Sequence, residues 1–312
     1  MEETCAYRYT TDQLEIIKAV LYFEIFEYPL TVTELYENSA ICLSREAFDE
    51  ELARLLEGKI LSRIGDFVLS RNGKEQFITR RKNGNVAACA VMPVAYRYSK
   101  KIASFPFVEG ICLSGGLSKQ YYDEHGDIDF FIIAKPGRLW LCRTFLIMRY
   151  KLLPKHLKKY WCVNYFIASS NLSIPENNVF TGTEMAYLIP TVNYDLYKNL
   201  LQQNSWYKKR FPNKGTRPDT NCIATPEPFM KRFIERCLGG RFGDSVDDLL
   251  LRTTLKHWRR KYPEMQEEDF ELQFRSRKDV CKRHTKGFQN VVLGKWEQKQ
   301  QEYEKLLNPL AI

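Results

Sequence analysis

The sequence predicts an α+β protein: a mixed sheet flanked by helices, preceded by a winged helix and followed by a helical region. Three observations predict it. Capped amphipathic segments and a two-strand hairpin fill residues 12–70. Apolar strand patterns gather between 108 and 168. Helical periodicity dominates the last third of the chain. The expected boundaries are a winged-helix unit over 1–72, a helical connector over 73–107, a sheet core over 108–195 and a helical C-terminal domain over 196–312.

Leu14, Ile17, Leu21 and Ile25 recur at helical spacing, and Thr10 with Gln13 has capping-box spacing. Thr31 and Glu34 repeat that spacing before a short helix. Ser44 caps a third helix, whose apolar face is Phe48, Leu52, Leu55 and Leu56 and which Gly58 ends. Residues 60–64 and 67–70 then read as strands around Gly65-Asp66. Three helices and a hairpin in this order predict a winged helix-turn-helix. Its third helix carries Glu46, Asp49, Glu50, Glu51 and Glu57 against Arg45 and Arg54. A phosphate backbone would repel that surface, so a protein contact is favoured over a nucleic-acid contact. Arg80-Arg81-Lys82 and Lys100-Lys101 in the connector read as a solvated face.

Composition sets the outer limits. No run approaches the ~18 apolar residues of a spanning helix, so no membrane partner is expected. The polar, acidic N-terminus is unlike a signal peptide. Nine cysteines, none in Cys-x-x-Cys spacing, suit reduced thiols in a cytoplasmic protein. A net charge of +9 is compatible with polyanionic ligands, but a solubilising surface is the favoured reading.

The stretch LSGGLSKQYYDEHGDIDFFII, residues 113–133, carries the chemistry. If residues 127–133 form a strand, Asp127 and Asp129 project from one face. Two close carboxylates repel each other when ionised, and burial adds a desolvation cost. Mg²⁺ (or Mn²⁺) is the expected counter-ion, because it takes hard oxygen ligands. Gly115 and Gly116 allow close backbone approach to a ligand. A short helix is expected over 117–125, with its first N–H groups and the Ser118 hydroxyl facing an anion.

A Gly-Gly pair, a ten-residue spacer and Asp-apolar-Asp-apolar resemble the signature of the DNA polymerase β nucleotidyltransferase superfamily, especially its compact prokaryotic-type members. The resemblance runs from about Val108 to Pro190. It implies a nucleotidyltransferase-like mixed sheet and Mg²⁺-dependent transfer of a nucleotidyl group from a nucleoside triphosphate to a hydroxyl acceptor. Asp127 and Asp129 are its implied catalytic, metal-holding pair, and Gly115, Gly116 and Ser118 its implied phosphate cradle. Ser114 stands where an apolar residue usually precedes the glycines. The third carboxylate such proteins place on a neighbouring strand is replaced by Asn164, in the expected strand 160–168. Asn164 offers an amide oxygen but no base, so impaired transfer, or a nucleotide-binding regulatory module, is the alternative expectation.

The remaining elements are read more coarsely. Alternation places Asn164 and Phe166 on one face. Arg138, opening a helix over 138–153, either reaches a phosphate or acts as a surface cap. Glu184 is either a displaced third carboxylate or, as preferred, the partner of Thr181 in a capping box. Helices are expected over 194–210, 245–262 and 277–307. A basic cluster over 275–286 lies on the last of these.

Overall fold

The computed structural model describes residues 9–282 and 287–307. Helix α1 (Thr11–Glu24) starts at the Thr10–Gln13 capping box, and α2 (Val32–Asn38) at the Thr31–Glu34 box. Ser44 caps α3 (Arg45–Glu57), which Gly58 ends. The hairpin strands are β2 (Leu61–Ile64) and β3 (Phe67–Ser70). An unexpected short strand, β1 (Leu30–Thr31), pairs with β3, giving the sheet order β1-β3-β2. Two residues are too few to show a period-two pattern.

Helix α4 (Gln76–Ala103) joins this unit to the five-stranded sheet and lies against it. The sheet contains β4 (Val108–Ser114), β5 (Asp129–Ala134), β6 (Cys162–Ala168), β7 (Ile189–Val192) and β8 (Val280–Lys282) in the order β7-β4-β5-β6-β8. Only β5 and β6 run parallel. That pair needs a crossover, as parallel neighbours do. It is supplied by α6 (Leu139–Leu152) and a 3-10 turn over Lys155–Tyr160. The protein is therefore α+β, with a mixed sheet flanked by helices.

Alternation along β5 feeds two cores. Phe131 and Ile133 face one side, with α1, α7 (Val179–Tyr187), α8 (Tyr194–Gln203) and α12 (Phe288–Leu307). Phe130 and Ile132 face the other, with α4, α6, α10 (Arg241–Lys261) and α11 (Glu267–Phe274). Phe130 and Phe166 are buried in this second core, each contributing about 2–3 kcal/mol by removal from water. The first core continues into the N-terminal unit through Ile16, Val20 and Leu35. Polar ties reinforce that junction. Arg81 bonds Glu34 at 2.7 Å and the Pro29 carbonyl, and the Tyr28 hydroxyl donates to the Lys119 carbonyl at 2.8 Å.

Several expected elements shift. The helix expected over 194–210 is α8 followed by a 3-10 turn at Ser205–Lys209. Helix α9 (Phe229–Cys237) precedes α10, which begins before the expected 245. The helix expected from 277 is instead β8 and then α12, because Val280–Lys282 finds an open edge on β6. Of the basic cluster expected there, Arg283, His284 and Lys286 lie outside the described residues. No helix among the described residues is long and apolar enough to cross a membrane.

Candidate functional site

The β4–β5 ladder builds the site. Ser114, the last residue of β4, pairs with Asp129, the first of β5. The chain must turn sharply beyond Ser114, and Gly115 does so with φ +65°. A Cβ on Gly115 would lie 2.3 Å from Asp129 Oδ2, so glycine is required here both for its backbone conformation and for room. The turn and the carboxylate are thus in contact. The following helix, α5 (Gly115–Ser118), is a single turn and not the expected 117–125 element. Residues 121–128 are irregular, so Asp127 precedes the strand instead of opening it. Burial still alternates there: Asp127 is exposed, Ile128 buried, Asp129 half-buried and Phe130 buried.

Asp129 is short of positive charge. Burial pushes its carboxyl up to about 6, and the charges of Glu184 and Asp127 push the same way. A hydrogen bond from the Cys162 thiol and the charge of Lys119 act against them. Asp127 is also raised by burial, with Lys159 pulling it back down. Cys162 is pushed above the usual thiol range by burial and by Asp129.

A β-bulge positions Asn164. Phe130 pairs with Val163 but Phe131 pairs with Tyr165, leaving Asn164 as the extra residue. The bulge interrupts alternation, so Asn164 lies beside Asp129 while Phe166 packs in the opposite core; they do not share a face. Its side-chain amide donates to Asp129 Oδ1 at 3.3 Å and to Cys162 Sγ at 2.8 Å. Asn164 therefore meets the carboxylate as a donor.

The carboxylate opposite Asp129 is Glu184. Asn178, not Thr181, caps α7 by accepting from the Thr181 N–H, which leaves Glu184 free of the expected capping box. Glu184 instead accepts from the Gly115 N–H at 3.3 Å and from Lys119 Nζ at 2.7 Å. The sequence spacing Thr-x-x-Glu fitted a cap, but the helix starts three residues earlier.

Two residues expected at a phosphate lie elsewhere. Ser118 is 0% exposed, and its hydroxyl donates to the Gly115 carbonyl at 2.8 Å, a contact within its own turn. Arg138 follows the far end of β5, roughly 17 Å of extended strand from Asp129. It is 5% exposed and saturated. Its guanidinium donates to the carbonyls of Gly137, Leu238, Gly239 and Gly240 and pairs with Asp244. Arg138 thus pins the start of α10, with its guanidinium engaged inside the protein and not placed as a surface cap.

Two cavities meet at this point. One, of about 230 Å³, runs from Ser114, Gly115, Asp129 and Asn164 to Lys282. The other, of about 360 Å³, holds Gly116, Lys119, Tyr121 and Arg80 and is closed by Tyr22 and Phe26 of the N-terminal unit. Gly115, Glu184 and Phe288 line both. Sequence reasoning put Lys282 in the basic cluster of a helix and missed its place on a strand and the Glu176 paired with it, because β8 is too short to show alternation. Among the described residues, no three His, Cys, Asp or Glu side chains form a group able to hold a metal ion by themselves. Two carboxylates do suit Mg²⁺ that arrives with a substrate, since that ion keeps several waters and binds through one or two carboxylates plus phosphate oxygens. No family model, no curated protein and no solved structure matches the chain.

Proposed function

We propose that the chain binds a nucleoside triphosphate with Mg²⁺ (Mn²⁺ as substitute) and transfers its nucleotidyl group to a hydroxyl acceptor. One observation carries this reading: the Asp129 carboxylate lies against the Gly115 turn and feels the charges of both Glu184 and Asp127, offset by Lys119, which pairs with Glu184, and by Lys159, which acts on Asp127. Such a carboxylate excess is stabilised by a divalent cation bringing its own anionic partner. Asp127 and Asp129 would hold the metal, and Gly115 and Gly116 would let the triphosphate approach the backbone. When bound, the ion would neutralise charge on the phosphates.

The chain's own residues supply position and proton handling. The acceptor, entering from the larger cavity, would form a bond from its oxygen to the α-phosphorus. The α–β phosphoanhydride bond would break, and pyrophosphate would leave with the bonding electrons. Glu184, on the wall common to both cavities, would take the hydroxyl proton, the task that Asn164 cannot perform. The helix–strand–helix–helix–hairpin order of residues 11–70 supports a winged-helix-like unit. The exposed Glu46, Asp49, Glu50 and Glu57 on α3 support a protein-contacting role over nucleic-acid binding.

The Asn164 contact with Asp129 favours a second reading, a nucleotide-binding regulatory module without transfer. One assay separates the two. Incubation with labelled triphosphates, Mg²⁺ or Mn²⁺ and candidate hydroxyl acceptors should show label transfer and pyrophosphate release. Both should be lost in the Asp127→Ala, Asp129→Ala variant. Transfer that persists in that variant refutes the site. Tight binding without transfer selects the second reading.

A further inference from the structure

The smaller cavity has a built end away from Asp129. Lys282 is 5% exposed, and its ammonium bonds Glu176 Oε1 at 3.2 Å and Gln289 Oε1 at 2.9 Å. An ammonium has three donors. Two are accounted for among the described residues, at the wall of an apolar chamber. Glu176 also pairs with Arg275 at 2.8 Å, so one buried carboxylate serves two cations here, and the more exposed Glu271 partners Arg275 at 3.3 Å. A desolvated ammonium–carboxylate pair on a cavity wall presents a donor beside an acceptor to whatever enters.

The sheet register sets the span. Lys282 pairs with Tyr165, and Tyr165 pairs with Phe131, so Lys282 is two strands across and two residues along from Asp129. Strand spacing and rise put the two Cα atoms roughly 12 Å apart. Between them the chamber is walled by Phe131, Tyr165, Ile174, Phe180, Met185 and Leu188. The Phe131 and Tyr165 rings stack on one another, with centroids 4.7 Å apart and planes 15° apart, so the pair gives the chamber an aromatic wall. A volume of 230 Å³ is below the ~300–1,000 Å³ of whole drug-sized ligands, and suits one planar ring system.

We propose that this chamber seats the heterocyclic base of the nucleotide, its ring packed against the aromatic wall of Phe131 and Tyr165 and its polar edge against Lys282 and Glu176. The inference rests on the nucleotide reading, but it adds a location and a chemistry. The ring enters from the Asp129 end, so the sugar and phosphates remain at Gly115 and the carboxylates. The edge recognised carries a hydrogen-bond acceptor, for the Lys282 ammonium, next to a donor, for Glu176.

The test uses phosphate-free ligands, so that the carboxylates and any metal are silent. Adenosine, guanosine, cytidine and uridine are titrated calorimetrically into the full chain without divalent cations. The titrations are repeated with Lys282→Met and Thr181→Trp. Thr181 lines the chamber without taking part in its buried ion pairs, so Thr181→Trp fills the space and keeps the test valid should Lys282→Met fail to fold. At least one nucleoside should bind the unaltered chain, and binding should weaken by about tenfold or more in each variant. Binding that survives Thr181→Trp overturns the seat, and binding that survives in folded Lys282→Met overturns the edge contact. If Mg²⁺–triphosphates bind but no nucleoside does, the base lies elsewhere and the nucleotide reading stands. If neither class binds, both fall.

Discussion

The two ends of β5 each bury a charge, and they treat it in opposite ways. At one end Arg138 meets four carbonyls and a carboxylate, so each of the five donors of its fork has an acceptor. At the other, Asp129 receives an amide and a thiol, faces Glu184 and Asp127, and is held at about 6. A saturated buried charge holds elements together. An under-compensated one lining a cavity is a candidate place for a ligand. On that contrast we place the proposed ligand site at the Asp129 end, although the sequence offers a candidate phosphate ligand at each.

The largest effect expected is at the saturated end. Arg138→Ala orphans the carbonyls of Leu238, Gly239 and Gly240 at the start of α10, and should cost about 3–5 kcal/mol in urea unfolding. Ligand affinity of the folded fraction should be unchanged. A loss of stability below about 1 kcal/mol would erase the contrast between the two ends.

Asp129→Asn should act in the opposite direction. A carboxyl held at about 6 in the folded chain, against 3.8 when unfolded, makes the folded state bind more protons between those values. Stability therefore falls as pH rises from about 4 to 6 and stays lower above it, by about 2–3 kcal/mol. Asp247 is also held at about 6, chiefly by burial, so the wild-type curve contains both groups. The difference between wild type and Asp129→Asn isolates Asp129. The variant should be the more stable protein at pH 7 and lose its advantage near pH 4. Equal stability at both pH values would contradict the account.

These two expectations also show what the residues alone could reveal. The capping boxes at Thr10 and Thr31, the Ser44 cap and the Gly58 stop were legible because each is a local hydrogen-bond pattern written in adjacent residues. Gly115 near Asp129 was suggested by the spacing of the glycine pair and the acidic pair, which resembles a known signature, and it is the β4–β5 pairing that brings them together. Arg138 was not, because its partners lie about a hundred positions away, on the approach to α10. Nor was the bulge at Asn164, which exists only in the pairing of β5 with β6. Glu184 showed a cap signature, but Asn178 caps the helix three residues before the spacing suggested.

Smaller perturbations sharpen the comparison. Gly115→Ala imposes a left-handed backbone on alanine and drives its Cβ into Asp129 Oδ2. It should cost about 1–3 kcal/mol in thermal or urea unfolding and weaken Mg²⁺–triphosphate binding as well. A fully stable Gly115→Ala would place the turn away from the carboxylate. Smallest of all, Glu184→Gln removes one of the charges raising Asp129. The Asp129 titration should move down, with a stability change of no more than about 1 kcal/mol. A titration that does not move would take Glu184 out of the site.

The most direct test is the titration of the Asp129 carboxyl itself, followed by carbon NMR with and without saturating Mg²⁺ and a non-hydrolysable triphosphate. The account predicts a midpoint near 6 in the free protein, and with both ligands bound a midpoint below the ordinary aspartate value of 3.8. An ordinary midpoint in the free protein, or one that the ligands leave in place, would contradict it.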